Sequence, residues 1–363
     1  MPYFQYQGIA LKGLCTAVPA NQVDIAAYGE RFGEEAVQKF IQSTGIAHAH
    51  RTLPGQTACD LAYAAARNLL AAQSIPPESI GGLVLVTQSP DYRRPSSASV
   101  LHGRLKLPMD CAAMEINLGC SGFLYGLQTA CSMLRCSDMQ RVLLTLGETA
   151  SRLANPRDKA VAMLYGDAGA ALLLEKDPSA PEITVSLMSD GGRYRAIVLP
   201  AGGFRDMDAP RDEFVCSDGN LRSLYDIHMD GAAVFAFTLS DVPDSIRAFL
   251  HRTGTAMEDY DCYALHQANL LILRQLIRKF HLPPEKTPIS IQRYANTGGV
   301  SIPLTLCDAF GGNAAGEKRI LMSAFGIGLS WGVASATVNV AAIHPVAQTD
   351  ECFDEGRLTP NML

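Results

Sequence analysis

Cys120 stands in the run Glu115-Ile116-Asn117-Leu118-Gly119-Cys120-Ser121-Gly122-Phe123. A short apolar stretch ends in Gly-Cys-Ser-Gly and a helical pattern follows, which predicts a thiol at a tight turn between a strand and a helix. A helix N-terminus carries about half a positive elementary charge, which favours a thiolate. The thiolate is the reactive form, so the setting suits a covalent nucleophile. The chain has ten cysteines, however. A buried cysteine is commonly an inert small hydrophobe, so Cys120 needs partners before chemistry can be assigned to it.

His266 is the one of eight histidines in a chemically pointed setting. The run Tyr263-Ala264-Leu265-His266-Gln267-Ala268-Asn269 places it at the end of an apolar strand, just before a helical pattern. Strand ends in βα units are where ligands bind. Asn296 lies in Arg293-Tyr294-Ala295-Asn296-Thr297-Gly298-Gly299-Val300, where two glycines let a loop backbone approach a ligand closely. Taken singly, His266 also reads as a hydrogen-bonded core histidine and Asn296 as a turn asparagine. Together the three supply a thiolate, an imidazole and a carboxamide at strand-to-helix junctions. Such a set can run acyl chemistry. The cysteine takes an acyl group, and the imidazole and amide N–H groups stabilise an enolate formed on a second thioester.

The elements that must position them alternate. Strands are expected at 8–14, 82–87, 113–117, 141–146 and 168–174, then at 182–187, 261–265, 288–291, 319–324 and 332–340. Helices are expected at 58–72, 97–105, 121–134 and 155–161, then at 231–252, 269–280 and 301–310. This is an α/β pattern with buried sheets. It suggests two similar halves, residues 1–176 with the cysteine and 177–345 with His266 and Asn296. Residues 202–220, rich in Gly, Asp and Arg, read as a surface excursion, and 346–363 as a polar tail.

Composition narrows the function classes. The 363 residues are 48% hydrophobic, enough to bury a large core. The net charge of −6, without a basic run, argues against nucleic acid as a partner. No apolar stretch reaches membrane-spanning length and the N-terminus lacks signal-peptide character. Cysteine spacing fits neither a structural metal site nor a disulfide framework, so reduced thiols in the cytoplasm, and no metal or cofactor, are expected.

With those residues in view, the chain resembles the β-ketoacyl-acyl-carrier-protein synthase III group of the thiolase superfamily over about residues 5–342. The motifs are the Cys120 segment, His266-Gln267-Ala268-Asn269, Asn296-Thr297, Gly166-Asp167-Ala168-Gly169-Ala170, and Phe325-Gly326-Ile327-Gly328-Leu329-Ser330-Trp331-Gly332. The resemblance implies a duplicated, five-layered α-β-α-β-α fold and a homodimer. It implies that Cys120 takes an acyl group from a CoA or carrier-protein thioester. Decarboxylative Claisen condensation with a malonyl thioester then follows, with His266 and Asn296 holding the enolate oxygen. It further implies an oxyanion hole from the backbone N–H groups of Cys120 and Ile327, and substrate contacts from Phe325, Gly326, Gly328 and Lys159. Gly166-Asp167 reads as a loop supporting the site.

Several positions depart from that family. Its CoA-clamping Trp and Arg are replaced by Lys39 and Ser43, and Lys159 stands where an Arg is usual. Arg93 and Arg94 replace the region of an aromatic ring that reaches a partner's acyl pocket, which points to a specialised synthase; solvated or interface charges are the other reading. Arg274 and Arg278, one turn apart on the helix after His266, are candidates for docking an acidic acyl carrier protein; a solvated helix face is the alternative. An acyltransferase using an alcohol or amine acceptor, or a non-catalytic partner subunit, are the competing functions. The retained Asn296 and Cys120 speak against them.

Overall fold

The computed structural model describes residues 2–313 and 316–360. Met1 and residues 361–363, included in the first half and the tail above, lie outside the described residues.

The first half builds a sheet in the order Ile9–Pro19, Ala168–Lys176, Arg141–Glu148, Gly82–Val86, Ala112–Ile116. Neighbours among the first three strands are antiparallel, and the last three strands are parallel. The second half repeats that succession with Ile183–Ser189, Ser330–Asn339, Glu317–Gly326 and Cys262–Leu265, two antiparallel steps and then a parallel one. Duplication, invisible residue by residue, is thus plain in the pairing order. Strands such as Gly82–Val86, Gly-Leu-Val-Leu-Val, are buried throughout, which is why they lack polar alternation.

Helices Gly122–Cys136 and Ser301–Phe310 lie between the two sheets and share one apolar core with both. Ala58–Ala72 and Ser97–Arg104 cover the outer face of the first sheet. Asp241–Thr253 and Leu270–Phe280 belong to the core on the outer face of the second. The stack is therefore α-β-α-β-α, as expected.

Both ends of the chain cross the sequence-drawn halves. Tyr3–Tyr6 pairs antiparallel with Ile183–Ser189 in the second sheet. The segment read as a polar tail is docked on the first half. Its Ala347–Thr349 adds a parallel strand beside Ile9–Pro19. Beyond it, Glu351 pairs with Arg67 and Arg104, Phe353 stacks on Arg104, and Tyr92 donates to the Gly356 carbonyl. These are polar and aromatic contacts spread over distant residues, so no local apolar period announces them.

Three expected elements differ. Residues 231–252 form two helices, Gly231–Leu239 and Asp241–Thr253; Pro243 suits the first turn of a helix but not its interior. Residues 155–161 are turns, in which the Asn155 and Asp158 side chains accept from the N–H groups of Arg157 and Ala160; such local bonds compete with a helix. Residues 288–290 make no strand, and Ile291 opens the short helix Ile291–Tyr294. There the Ser290 N–H is satisfied by the Gln267 side chain instead of a neighbouring strand.

Candidate active site

A cavity of about 470 Å³ opens where the two halves meet. Its wall includes Cys120, His266, Asn296, Phe325, Gly326, Ile327 and Gly328. Six of the residues singled out in the sequence for chemistry or substrate contact thus converge with the loop residue Ile327. Apolar side chains, among them Leu153, Leu164, Ile197, Met229 and Ile272, line much of the rest.

Cys120 lies in the turn after strand Ala112–Ile116, two residues before helix Gly122–Cys136. Its neighbour Ser121 does not cap that helix; its hydroxyl meets Ser330 Oγ at 2.6 Å. Ser330 Oγ in turn donates to the Ile327 carbonyl at 2.7 Å. This chain of hydroxyls ties the 326–330 loop to the nucleophile turn. Gly326 must be glycine, because a Cβ there would stand 2.8 Å from the Cys120 sulfur. The backbone N–H groups of Ile327 and of Cys120 itself bear on that sulfur and pull its pKa down. Two donors converging on one spot form a pocket suited to an oxyanion.

The expected thiolate is not the resting form. Burial pushes the Cys120 thiol up to about 11, and the charge of Glu148 adds to the rise, against the downward pull of the two N–H groups. Glu148 lines the same cavity, and burial pushes its carboxyl up to about 8 although the Gln88 N–H and Ser89 hydroxyl donate to it.

His266 follows strand Cys262–Leu265, and its N–H donates to the Ser323 carbonyl of the neighbouring parallel strand. The ring is 1% exposed. Its Nδ1 lies 2.6 Å from Ser301 Oγ, and Phe325 packs on it edge to face with ring centres 5.4 Å apart. Burial lowers its pKa to about 3, so the imidazole is neutral at working pH.

Asn296 is held by its own backbone. Its N–H donates to the Leu164 carbonyl and its carbonyl accepts from the Gly166 N–H. The preceding Ala295 has φ +57° and ψ −162°, a region nearly reserved for glycine and costing about 1–3 kcal/mol. The strain turns the chain so that Asn296 enters the cavity. Gly298, at φ +56°, donates its N–H to Asn296 Oδ1 at 3.0 Å. That bond occupies the amide oxygen and leaves the Nδ2 hydrogens for a ligand. Asp167, fully buried, accepts from the N–H and hydroxyl of Thr52 and of Ser151. It fastens the loops around the site and does not line the cavity.

Other expectations separate from the cavity. Lys159 is exposed and absent from the wall; its turn is tied to the surface excursion instead, through its N–H to Asn220 Oδ1 and the neighbouring Asp158–Arg222 ion pair. Lys39 is exposed and paired with Glu35. Arg93 and Arg94 are exposed, and both stack on Phe204 of the surface excursion. Arg274 and Arg278 are exposed on helix Leu270–Phe280, whose capping residue Asn269 lines the cavity. Sequence reading missed Ser301 and Gln88. Ser301 resembles an ordinary helix-starting serine, and only the packing of its helix against His266 reveals its contact.

Two family profiles match the chain, 3-oxoacyl-[acyl-carrier-protein (ACP)] synthase III over residues 114–191 and its C-terminal counterpart over residues 250–338. A beta-ketoacyl-[acyl-carrier-protein] synthase III of Streptomyces coelicolor is 32% identical over 340 residues, spanning 93% of this chain and 98% of that one. One from Lactococcus lactis is 30% identical over 295 residues, spanning 80% and 87%. The solved 3-oxoacyl-(acyl-carrier protein) synthase of Burkholderia xenovorans superposes with a TM-score of 0.88 at 33% identity, covering 96% and 99%.

The resting state of Cys120 sets a pH dependence. A thiol held near 11 gains thiolate roughly tenfold for each pH unit of rise below that value. Alkylation of Cys120 by iodoacetamide in the free enzyme is expected to accelerate accordingly from pH 7 to 10. Rates already level at neutral pH would show a resting thiolate instead.

Proposed function

This chain belongs to the 3-oxoacyl-[acyl-carrier-protein] synthase III family of the thiolase superfamily, and on that premise we propose that Cys120, His266 and Asn296 carry its two half-reactions. The protein is a condensing acyltransferase. It moves an acyl group to an active-site cysteine and joins it, with loss of carbon dioxide, to a malonyl thioester. The observation that supports the residue assignment is the convergence, on one largely apolar cavity, of a thiol, a neutral imidazole and an amide with its oxygen already engaged.

In the first half-reaction the Cys120 sulfur attacks the acyl thioester carbonyl. The N–H groups of Cys120 and Ile327 hold the oxyanion. The old C–S bond breaks, and the thiol proton ends on the departing thiol. A substrate carbonyl in the hole gives the two N–H groups a charge to stabilise as it develops, the arrangement that lowers a barrier most.

In the second half-reaction the malonyl thioester loses carbon dioxide. The electron pair of the broken C–C bond moves into an enolate whose oxygen is held by His266 and by Asn296 Nδ2–H. The enolate carbon attacks the acyl-Cys120 carbonyl, a C–C bond forms, and Cys120 leaves as thiolate, which takes up a proton from solvent to restore the resting thiol. Decarboxylation creates the carbanion, so a strong base is unnecessary. Phe325, packed on His266, offers an apolar wall that disfavours the malonyl carboxylate over neutral carbon dioxide.

Intact-protein mass spectrometry after incubation with a panel of acyl-CoA and acyl-carrier donors tests the assignment. Wild type is expected to gain one acyl group and lose it when malonyl carrier protein is added; Cys120→Ala gains none. His266→Ala and Asn296→Ala are expected to hold the acyl group while condensation drops about 10²–10³-fold, the usual loss for one oxyanion donor. An adduct that malonyl thioester never discharges from wild type would favour another acceptor.

We assign carrier-protein docking to Arg274 and Arg278. The supporting observation is their exposure on the helix whose first turn borders the cavity. The double reversal Arg274→Glu with Arg278→Glu should raise KM for malonyl carrier protein at least about fivefold, since rim charges act mainly on encounter. KM for malonyl-CoA serves as the reference. Equal KM values in wild type and variant would refute the docking site.

We further propose a homodimer built on strand Ala112–Ile116. This strand ends its sheet, pairs on one side only, and exposes Ala112, Ala113 and Met114. An open edge is a template for a second copy, and Asn117, directly after it, lines the cavity. Light scattering should give twice the 39.0 kDa chain mass, reduced by Ala113→Pro. A wild type at the single-chain mass would overturn this. The ten unpaired cysteines suit a reducing cytoplasm, and no helix among the described residues is long and apolar enough to cross a membrane.

A further inference from the structure

We propose that Ser301 is a positioning residue that fixes the tautomer of His266, donating its hydroxyl hydrogen to Nδ1 so that Nε2–H faces the cavity. This rests on the enolate-holding role of His266 proposed above. Ser301 and His266 are each 1% exposed, and Oγ lies 2.6 Å from Nδ1.

Only one placement of the hydrogens satisfies both groups. A hydroxyl has one hydrogen and two lone pairs, and a neutral imidazole has one N–H. The Gln267 N–H already approaches Ser301 Oγ at 3.4 Å and takes one lone pair. If Nδ1 also carried a hydrogen, Oγ would receive two N–H groups. Its own hydrogen would then have no acceptor among the described contacts, inside a buried site where an unmade hydrogen bond is penalised. The other assignment satisfies every group: Gln267 N–H to Oγ, Oγ–H to Nδ1, and Nε2–H free for the cavity that His266 lines.

Two further features agree. Ser301 is the first residue of helix Ser301–Phe310, and the positive end of a helix disfavours an imidazolium beside it. Burial likewise holds His266 in its neutral form. The ring is therefore a donor on its cavity side. It supplies a hydrogen bond to an enolate oxygen, and at rest its Nε2 has no lone pair to take the Cys120 proton.

The position of Ser301 explains how this is enforced. The serine follows the Asn296–Val300 loop, and Asn296 Oδ1 is engaged by Gly298 N–H in the same loop. One segment of chain thus sets both donors: it turns the amide hydrogens of Asn296 outward and the hydrogen of His266 onto Nε2. A hydroxyl at position 301 is needed for the second task, whereas the first is done by backbone.

Nitrogen-15 NMR of histidine-labelled enzyme reads the tautomer directly. Wild type is expected to show His266 with Nε2 protonated and Nδ1 bare between pH 6 and 8, and Ser301→Ala to show a mixture or the other form. In Ser301→Ala, kcat for condensation should fall at least about tenfold, less than the 10²–10³ for removing a donor outright. KM for the malonyl thioester and the rate of Cys120 acylation should change far less. Ser301→Thr, which keeps the hydroxyl, should recover both the tautomer and kcat. Protonated Nδ1 in wild type, or a Ser301→Ala enzyme with the Nε2–H tautomer and undiminished condensation, would overturn the inference. His266→Ala separates the two readings. If condensation survives it, the role of His266 fails, while the tautomer signal still judges Ser301.

Discussion

Everything at the site hangs on two helices sandwiched between the sheets. Gly122–Cys136 and Ser301–Phe310 lie between the sheets and are packed from both faces, by Phe123, Leu124, Leu127 and Leu134 on one and Ile302, Leu304 and Leu306 on the other. Fully burying one such side chain is worth about 1.5–3 kcal/mol, and a close-packed interior resists displacement by even a methylene. The two helices are therefore clamped. Cys120 stands two residues before one and Ser301 starts the other, so the core that stabilises the protein also fixes the distance between nucleophile and enolate site.

The electrostatics of that buried place decide the resting chemistry. A helix N-terminus contributes typically 0.3–1 kcal/mol toward an anion and up to about 2 in favourable geometry, or roughly one pKa unit. Burial can move a group by 3–5 units the other way. At Cys120 burial wins, and the thiol stays protonated until a thioester carbonyl arrives to share the charge. The same desolvation keeps His266 neutral. A buried site with a neutral thiol and a neutral imidazole strengthens every hydrogen bond made to an oxyanion when one forms.

Precise aim is obtained by strain held in place from outside. Ala295 occupies a backbone region that favours glycine, yet the segment persists because Asn296 is bridged to Leu164 and Gly166 on both sides. Asp167, next in line, gathers Thr52 and Ser151. The acidic loop motif noted in the sequence is thus a fastening behind Asn296.

The sequence by itself determined the kind of protein. Apolar runs and helical patterns marked most strands and helices, because those depend on local burial, and the Gly-Cys-Ser-Gly, His-Gln-Ala-Asn and Ala-Asn-Thr-Gly junctions marked Cys120, His266 and Asn296. Elements broke where local side-chain bonds or proline overruled the pattern, as at Asn155 and Pro243. Tertiary structure alone decided that Tyr3–Tyr6 crosses to the second sheet and that the tail docks through Glu351 and Phe353, since those pairings join residues far apart in the chain. It alone excluded Lys159 from the cavity. It also decided that the Cys120 thiol is protonated and that Ser301 addresses His266. Charge state and hydrogen-bond partner depend on how much protein surrounds an atom, and no run of neighbouring residues records that.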